Sequence, residues 1–184
     1  VFLALGVLIP RSLNLGAVVA RRLVWFVVLV GVCLRLALVW TEPVLEDDYQ
    51  RYLWDGAVMA HGLNPYALAP EAAKSKGPES LYWQLLRQAG PVHGRINNGD
   101  LKTIYPPVAQ AAFALAYTLK PWSLVAWRMV CLGGELATLA LLLTLLAHAG
   151  RSPLWSSLYW WNPLVIKELI NSAHMEAVLL PLVL

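Results

Sequence analysis

Two stretches of this chain, Leu23 to Trp40 and Leu124 to His148, stay apolar long enough to cross a lipid bilayer. About 30 Å of hydrocarbon needs roughly 20 helical residues at about 1.5 Å each. The charged residues inside these stretches are Arg35, Arg128 and Glu135. The rest of the composition points the same way. The chain is 59% hydrophobic and 14% charged, with a mean hydropathy of +0.58, whereas a soluble domain carries about 25% charged residues. The expected class is therefore an all-α, polytopic membrane protein. A net charge of +3 is too small and too scattered for a nucleic-acid binder. Cys33 and Cys131 lie inside apolar runs and read as small buried hydrophobes, not as a disulfide or a metal pair.

Spans are expected over residues 23–40, 124–148, 153–167 and, incompletely, 175–184, with an extracytoplasmic loop over 41–104. Val1 opens the chain and "AVLLPLVL" closes it in mid-run, so residues 1–184 are expected to form a single truncated transmembrane domain of a larger protein. The apolar residues 1–9 are too few to span. Arg11, Arg21 and Arg22 precede the first span and acids follow it, which orients residue 22 toward the cytoplasm and the loop outward. The helix expected over 105–120, beginning "TIYPP", has an apolar length of about 14–16 residues, or roughly 21–24 Å. It either spans by tilting or is re-entrant. The re-entrant reading is preferred because the helix is short.

The loop has structure of its own. Asp48, Arg51 and Asp55 recur at i, i+3 and i+7, beside an apolar face of Tyr49, Tyr52, Leu53 and Ala57. That helix should end near His61-Gly62, before Asn64-Pro65. A second amphipathic piece, "ESLYWQLLRQ", covers 79–88. Both would lie along the membrane interface.

Glu46, Asp47 and Asp48 are the first candidate catalytic residues. One or two acids would suffice to complement a helix dipole, at typically 0.3–1 kcal/mol each. Three adjacent carboxylates repel one another, and they suit a general base with a neighbour that positions it or binds a cation. Arg51, between Asp48 and Asp55, would hold Asp48 in one rotamer. Arg128 and Glu135 are about 10 Å apart along one helix face and read first as interhelical pairing groups. In "WNPLVIKELINSAHMEA", Lys167, Asn171 and His174 recur at i, i+4 and i+7. One helical face could then present all three donors to an anionic headgroup. Lys102 is a further cation, just before "TIYPP", and Tyr105 lies within that motif. No Gly-rich phosphate loop, zinc-ligand spacing or Ser/His/Asp arrangement occurs.

The blocks "DDYQRYLWDGAVMAHGLNPYALAP", "INNGDLKTIYPPVAQ" and "WNPLVIKELINSAHMEA", in that order, resemble bacterial polyprenol-phosphate-dependent mannosyltransferase-like membrane proteins of the GT-C superfamily. The order is also similar to that of the first mannosyltransferase of GPI-anchor synthesis. The resemblance covers residues 40 to 184. It implies a GT-C-like fold with interfacial helices in the first extracytoplasmic loop, and transfer of a hexose, with mannose expected, from a polyprenyl-phosphate donor. The acceptor would be a hydroxyl of a glycan or glycolipid. It further implies Asp48 as base, with Asp47 and Glu46 as neighbours, and Asn171 and His174 near the donor phosphate. Arg51, Lys102, Tyr105 and Lys167 complete the expected substrate-binding set. The setting would be the bacterial inner membrane, with the active site facing outward.

The chemistry has the same requirements without the resemblance. An acceptor hydroxyl needs a base, a departing phosphate needs donors or cations, and a lipid-linked donor needs a site at the interface. No cofactor is required, although a divalent cation is possible. The alternatives are a transporter or flippase with Arg128 and Glu135 lining the path, and an inactive scaffold.

Overall fold

A computed structural model of the chain describes residues 17–184. The apolar segment 1–9, Pro10 and Arg11 lie outside the described residues. The first helix, α1 (Ala17–Val39), starts earlier than the apolar run because Arg21 and Arg22 are good helix formers and project outward. Its 23 residues reach about 35 Å. An irregular turn then leads to α2 (Tyr49–Ala60), a 3-10 turn (Pro70–Ser75), α3 (Leu81–Ala89) and the single turn α4 (Pro91–Gly94). α2 ends where its sequence says it should, with Gly62 left-handed at φ 74. At the start of α3 the Ser80 hydroxyl accepts from Trp83 N at 3.2 Å.

Next come α5 (Pro107–Leu119) and α6 (Leu124–His148). α6 matches its expected bounds and is capped by Ser123, which accepts from Ala126 N at 3.2 Å. α1 and α6 are long and apolar enough to cross a membrane. They run antiparallel: Arg128 near the start of α6 bonds the Val39 carbonyl at the end of α1, while Leu143 near the end of α6 packs with Val24. Only 22% of α1's most apolar window and 28% of α6's is buried, and Trp25, Phe26, Leu136 and Leu145 face outward. A core helix of a soluble domain would have these faces covered.

The region expected as a span over 153–167 is a broken path. It consists of a 3-10 turn (Pro153–Ser156), the single turns α7 (Ser157–Trp160) and α8 (Pro163–Ile166), and a π turn (Lys167–Asn171). Two prolines at first-turn positions restart the helix, each preceded by a capping side chain, Ser152 and Asn162. Beyond the π turn Ala173 takes the left-handed φ of 59. The path climbs beside α1: the Trp160 and Trp161 indoles donate to the Val28 and Val27 carbonyls at 3.1 and 2.8 Å. The final helix, α9 (Glu176–Val183), then runs along α6. Gly134 makes that approach possible, since a Cβ there would lie 2.2 Å from the Ala177 carbonyl.

α5 does not follow the long helices. It packs on α2, where a Cβ on Gly56 would lie 2.4 Å from the Phe113 carbonyl and Tyr52 stacks on Phe113 at 4.6 Å. Trp127 meets Phe113 edge-on at 4.9 Å and donates its indole N–H to the Ala173 carbonyl at 2.7 Å. Aromatic pairs of this kind contribute roughly 0.5–1.5 kcal/mol beyond burial. The start of α5, at Tyr105, shares a cleft with Asp48, and its end, at Lys120, shares one with Val39–Glu42.

Candidate active site

The turn before α2 brings the acids together and gives each a different neighbour. Leu45 adopts a left-handed φ of 65, which turns the chain before Glu46. Asp48 sits at the cap position of α2, and its carbonyl accepts from Arg51 N at 2.9 Å and Tyr52 N at 3.3 Å. Its carboxylate makes no capping bond, so the helix-dipole reading does not account for where that side chain goes. Asp47 accepts instead from the Asn97 carboxamide.

The Asp48 carboxylate joins Glu46 and His174, and the ligating atoms of all three lie within 4.8 Å of one another. His174 Nε2 is 3.6 Å from Glu46 Oε2, and Nδ1 is 3.6 Å from Glu168 Oε2. Burial and then the Glu46 charge push the Asp48 carboxyl above its ordinary value, with His174 partly opposing them. Glu168 moves the other way, held low mainly by its hydrogen bond from Lys167 Nζ at 3.0 Å.

The second half of this cluster departs from the expected helical face. The π turn and left-handed Ala173 set Asn171 apart from Lys167 and His174, which both reach the Glu168 carboxylate. Lys167 is paired with Glu168. Asn171 is 4% exposed and turns inward: its Oδ1 accepts from Val44 N at 2.8 Å, and its Nδ2 donates to Thr41 Oγ1 and the Glu42 carbonyl, both at 2.9 Å. It ties down the turn that delivers Glu46 and Asp48.

Asp48 also lines a cleft of about 110 Å³ with Arg51, Asn97, Lys102 and Tyr105. Arg51 does not brace Asp48; its Nε donates to Asp55 Oδ1 at 2.9 Å, the i+4 partner that helix geometry favours. Gln110 Nε2 bonds the other Asp55 oxygen at 3.0 Å and Thr103 Oγ1 at 2.9 Å. Arg51 is 7% exposed, and its Nη2 has no acceptor among the described residues. The Tyr105 phenol is pushed up to about 12, by burial and then by the Asp48 charge. Tyr66 donates to the Tyr105 carbonyl at 2.6 Å. Sequence reasoning singled out neither Tyr66 nor Asn97 as a site residue, and neither carries a periodic signal.

Two carboxylates and an imidazole, with Glu168 behind the ring, form a donor set that suits a divalent cation. The buried charges of the long helices sit elsewhere. Arg35 Nη2 pairs with Glu135 Oε2 at 2.7 Å, both side chains 0% exposed, and Tyr159 donates to Glu135. Arg128 donates to the carbonyls of Val39 at 2.8 Å, Thr41 at 2.6 Å and Asn171. Glu135 therefore pairs across helices as expected, while Arg128 clamps three chain carbonyls.

A sequence model of the MptA_B family, described as alpha-(1->6)-mannopyranosyltransferase, N-terminal domain, matches residues 2–184. The chain belongs to this family. An all-α fold is consistent with that membership, which supports a glycosyltransferase-type enzyme and accords with the GT-C-like blocks of the sequence. No curated protein and no solved structure shows a significant similarity to the chain.

Proposed function

We propose that this family member is an integral membrane glycosyltransferase that transfers a hexose, mannose, from a polyprenyl-phosphate donor to an acceptor hydroxyl on the extracytoplasmic face, with Asp48 as general base. The observation that carries this reading is that Asp48, its carboxylate uncapped, belongs both to the Glu46/His174 cluster and to the lining of the Arg51/Lys102 cleft. Its raised pKa suits a base. In the step itself, the acceptor oxygen attacks the anomeric carbon as its proton passes to Asp48. The bond from that carbon to the phosphate oxygen breaks, and the phosphate leaves with the electron pair, inverting the centre. Asn171 and Arg128 act on Asp48 through the 39–44 turn and are positioning residues. The exposed faces of α1 and α6 support a bilayer setting. The shortness of α5 supports a helix that does not cross. Where a divalent cation binds, Glu46 and His174 would hold it and it would supply positive charge beside Asp48.

A transporter would need Arg128 and Glu135 free to meet cargo, and both are engaged by the chain's own groups. The test is Asp48→Asn in the membrane-embedded full-length enzyme, assayed with a polyprenyl-phosphate mannose donor. Transfer should fall by about 10²–10⁴-fold with insertion and expression intact. Transfer near the wild-type rate would remove Asp48 as the base.

A further inference from the structure

Resting on that reading, the family resemblance puts the donor phosphate beside Asn171 and His174, but the charges there are wrong for an anion. Glu46, Asp48 and Glu168 surround His174, and Glu176 adds to the field on Asp48. The one lysine of that segment, Lys167, is already paired with Glu168, and the Asn171 carboxamide is fully engaged by the 41–44 turn. A phosphodiester anion at this position, gaining a second charge as the sugar leaves, would face several carboxylates with few free donors.

The cleft that Asp48 also lines holds two cations, Lys102 and Arg51, the latter paired with Asp55 at 2.9 Å. Arg51 lines it, more than nine-tenths buried and with Nη2 unpartnered among the described residues. That nitrogen is closed off from the surface, so Arg51 acts on the cleft through its charge and not through a free N–H. Lys102 lines the same cleft, makes no ion pair among the described residues and is exposed at its mouth. Beside these cations the rim is apolar: Leu101 and Ile104 line the cleft while 57% and 88% exposed. Leu45, next to the acids, is 91% exposed. A cationic floor with a bare aliphatic lip matches a ligand that has a phosphate at one end and a hydrocarbon chain beyond it.

We infer that the phosphate of the prenyl monophosphate binds in the Arg51/Lys102 cleft, with the first isoprene units on Leu101 and Ile104, leaving the Glu46/His174 side of Asp48 to the acceptor. The anomeric carbon then lies between the phosphate on one face and the acceptor on the other, with the acceptor hydroxyl within reach of Asp48. Asp48 also lines the cleft, so its charge opposes the phosphate; Lys102 offsets it, and Arg51, shared with Asp55, adds less.

The test is isothermal titration of the detergent-solubilised full-length enzyme with farnesyl monophosphate, inorganic phosphate and farnesol. Farnesyl monophosphate should bind more tightly than either fragment. Lys102→Gln, at an exposed side chain with no ion pair among the described residues, should weaken both phosphate ligands about tenfold. Ile104→Ser should weaken farnesyl monophosphate about fivefold and leave inorganic phosphate unchanged. Lys76→Gln, an equal loss of charge elsewhere on the loop, should change neither. Wild-type enzyme that binds no farnesyl monophosphate would overturn both the proposed function and this placement. Wild-type affinity in Lys102→Gln, or weakening by Lys167→Gln instead, would overturn the placement alone. Binding unaffected by Ile104→Ser would remove the isoprene seat.

Discussion

The two clusters of opposite charges, Arg35 with Glu135 and Glu46 with Asp48 and His174, differ in how fully the charges are answered. Around Arg35 every contact is close: Glu135 at 2.7 Å, the Trp160 carbonyl at 2.8 Å, and the Trp160 ring 3.5 Å from the guanidinium carbon. Around His174 the nearest carboxylates stand 3.6 Å away, and the cluster is partly open to solvent. Charges in an apolar interior must be saturated or the helix pair does not form. Charges that are to act on a substrate must keep some capacity unfilled. The first cluster builds the scaffold, and the second is left under-satisfied at its end.

The strongest way to break this comparison is to leave Arg35 alone. Glu135→Ala strands a buried guanidinium, and the expected cost is about 3–5 kcal/mol, seen as lost folded protein after extraction and a lower Tm. Replacing both partners, Arg35→Leu with Glu135→Leu, should recover a large part of it, since no unpaired charge remains. A Glu135→Ala protein as stable as wild type would mean that the pair does not hold the helices together.

Asn171 is the link between the two regions and should give an intermediate effect. Asn171→Ala leaves the Val44 amide without its acceptor, at about 1–3 kcal/mol. Because the turn it holds also carries Glu46 and Asp48, kcat should fall while KM changes less. An equal effect on KM alone would make Asn171 a substrate contact and not a positioning residue.

These predictions rest on features of unequal visibility in the sequence. α6 was legible at both ends because its apolar run is bounded by Ser123 and by Gly150, which is left-handed at φ 61. The end of α2 was legible for the same reason. The break at Asn162-Pro163 announced itself, but the π turn over Lys167–Asn171 and the left-handed Ala173 did not, since neither involves glycine or proline. The i, i+4, i+7 spacing of Lys167, Asn171 and His174 therefore suggested a shared face that the backbone does not provide. Arg51 had two acidic neighbours, and spacing alone did not choose Asp55 over Asp48. The pairing of Arg35 with Glu135 joins residues 100 apart, a distance that no local pattern reports. The approach of Asp48 to His174 followed from the family resemblance and not from periodicity.

The rate of transfer should carry the mark of Asp48 in its pH dependence. A base must be ionised, and burial beside Glu46 raises the pH at which Asp48 ionises. The acidic limb of kcat/KM should accordingly lie above the ordinary carboxylate range, with activity lost as the pH falls through it. Glu46→Gln removes one cause of the shift, so it should move that limb toward lower pH. An unmoved limb would assign it to another group.

The smallest expected effect is on stability, and it discriminates most sharply between the two clusters. The folded protein binds the Asp48 proton more tightly than the unfolded chain does, because the folded-state value is raised. Its contribution is fully present below the unfolded carboxylate value and is lost as the pH rises through the folded value. At neutral pH wild type carries an ionised Asp48 that its surroundings disfavour, and Asp48→Asn does not. The inactive variant should therefore melt at a slightly higher temperature at neutral pH, with the gap closing on acidification below the carboxylate range. A neutral-pH Tm below wild type would mean that the carboxylate is held favourably in place, as Glu135 is, and the contrast between a saturated scaffold and an under-satisfied site would collapse.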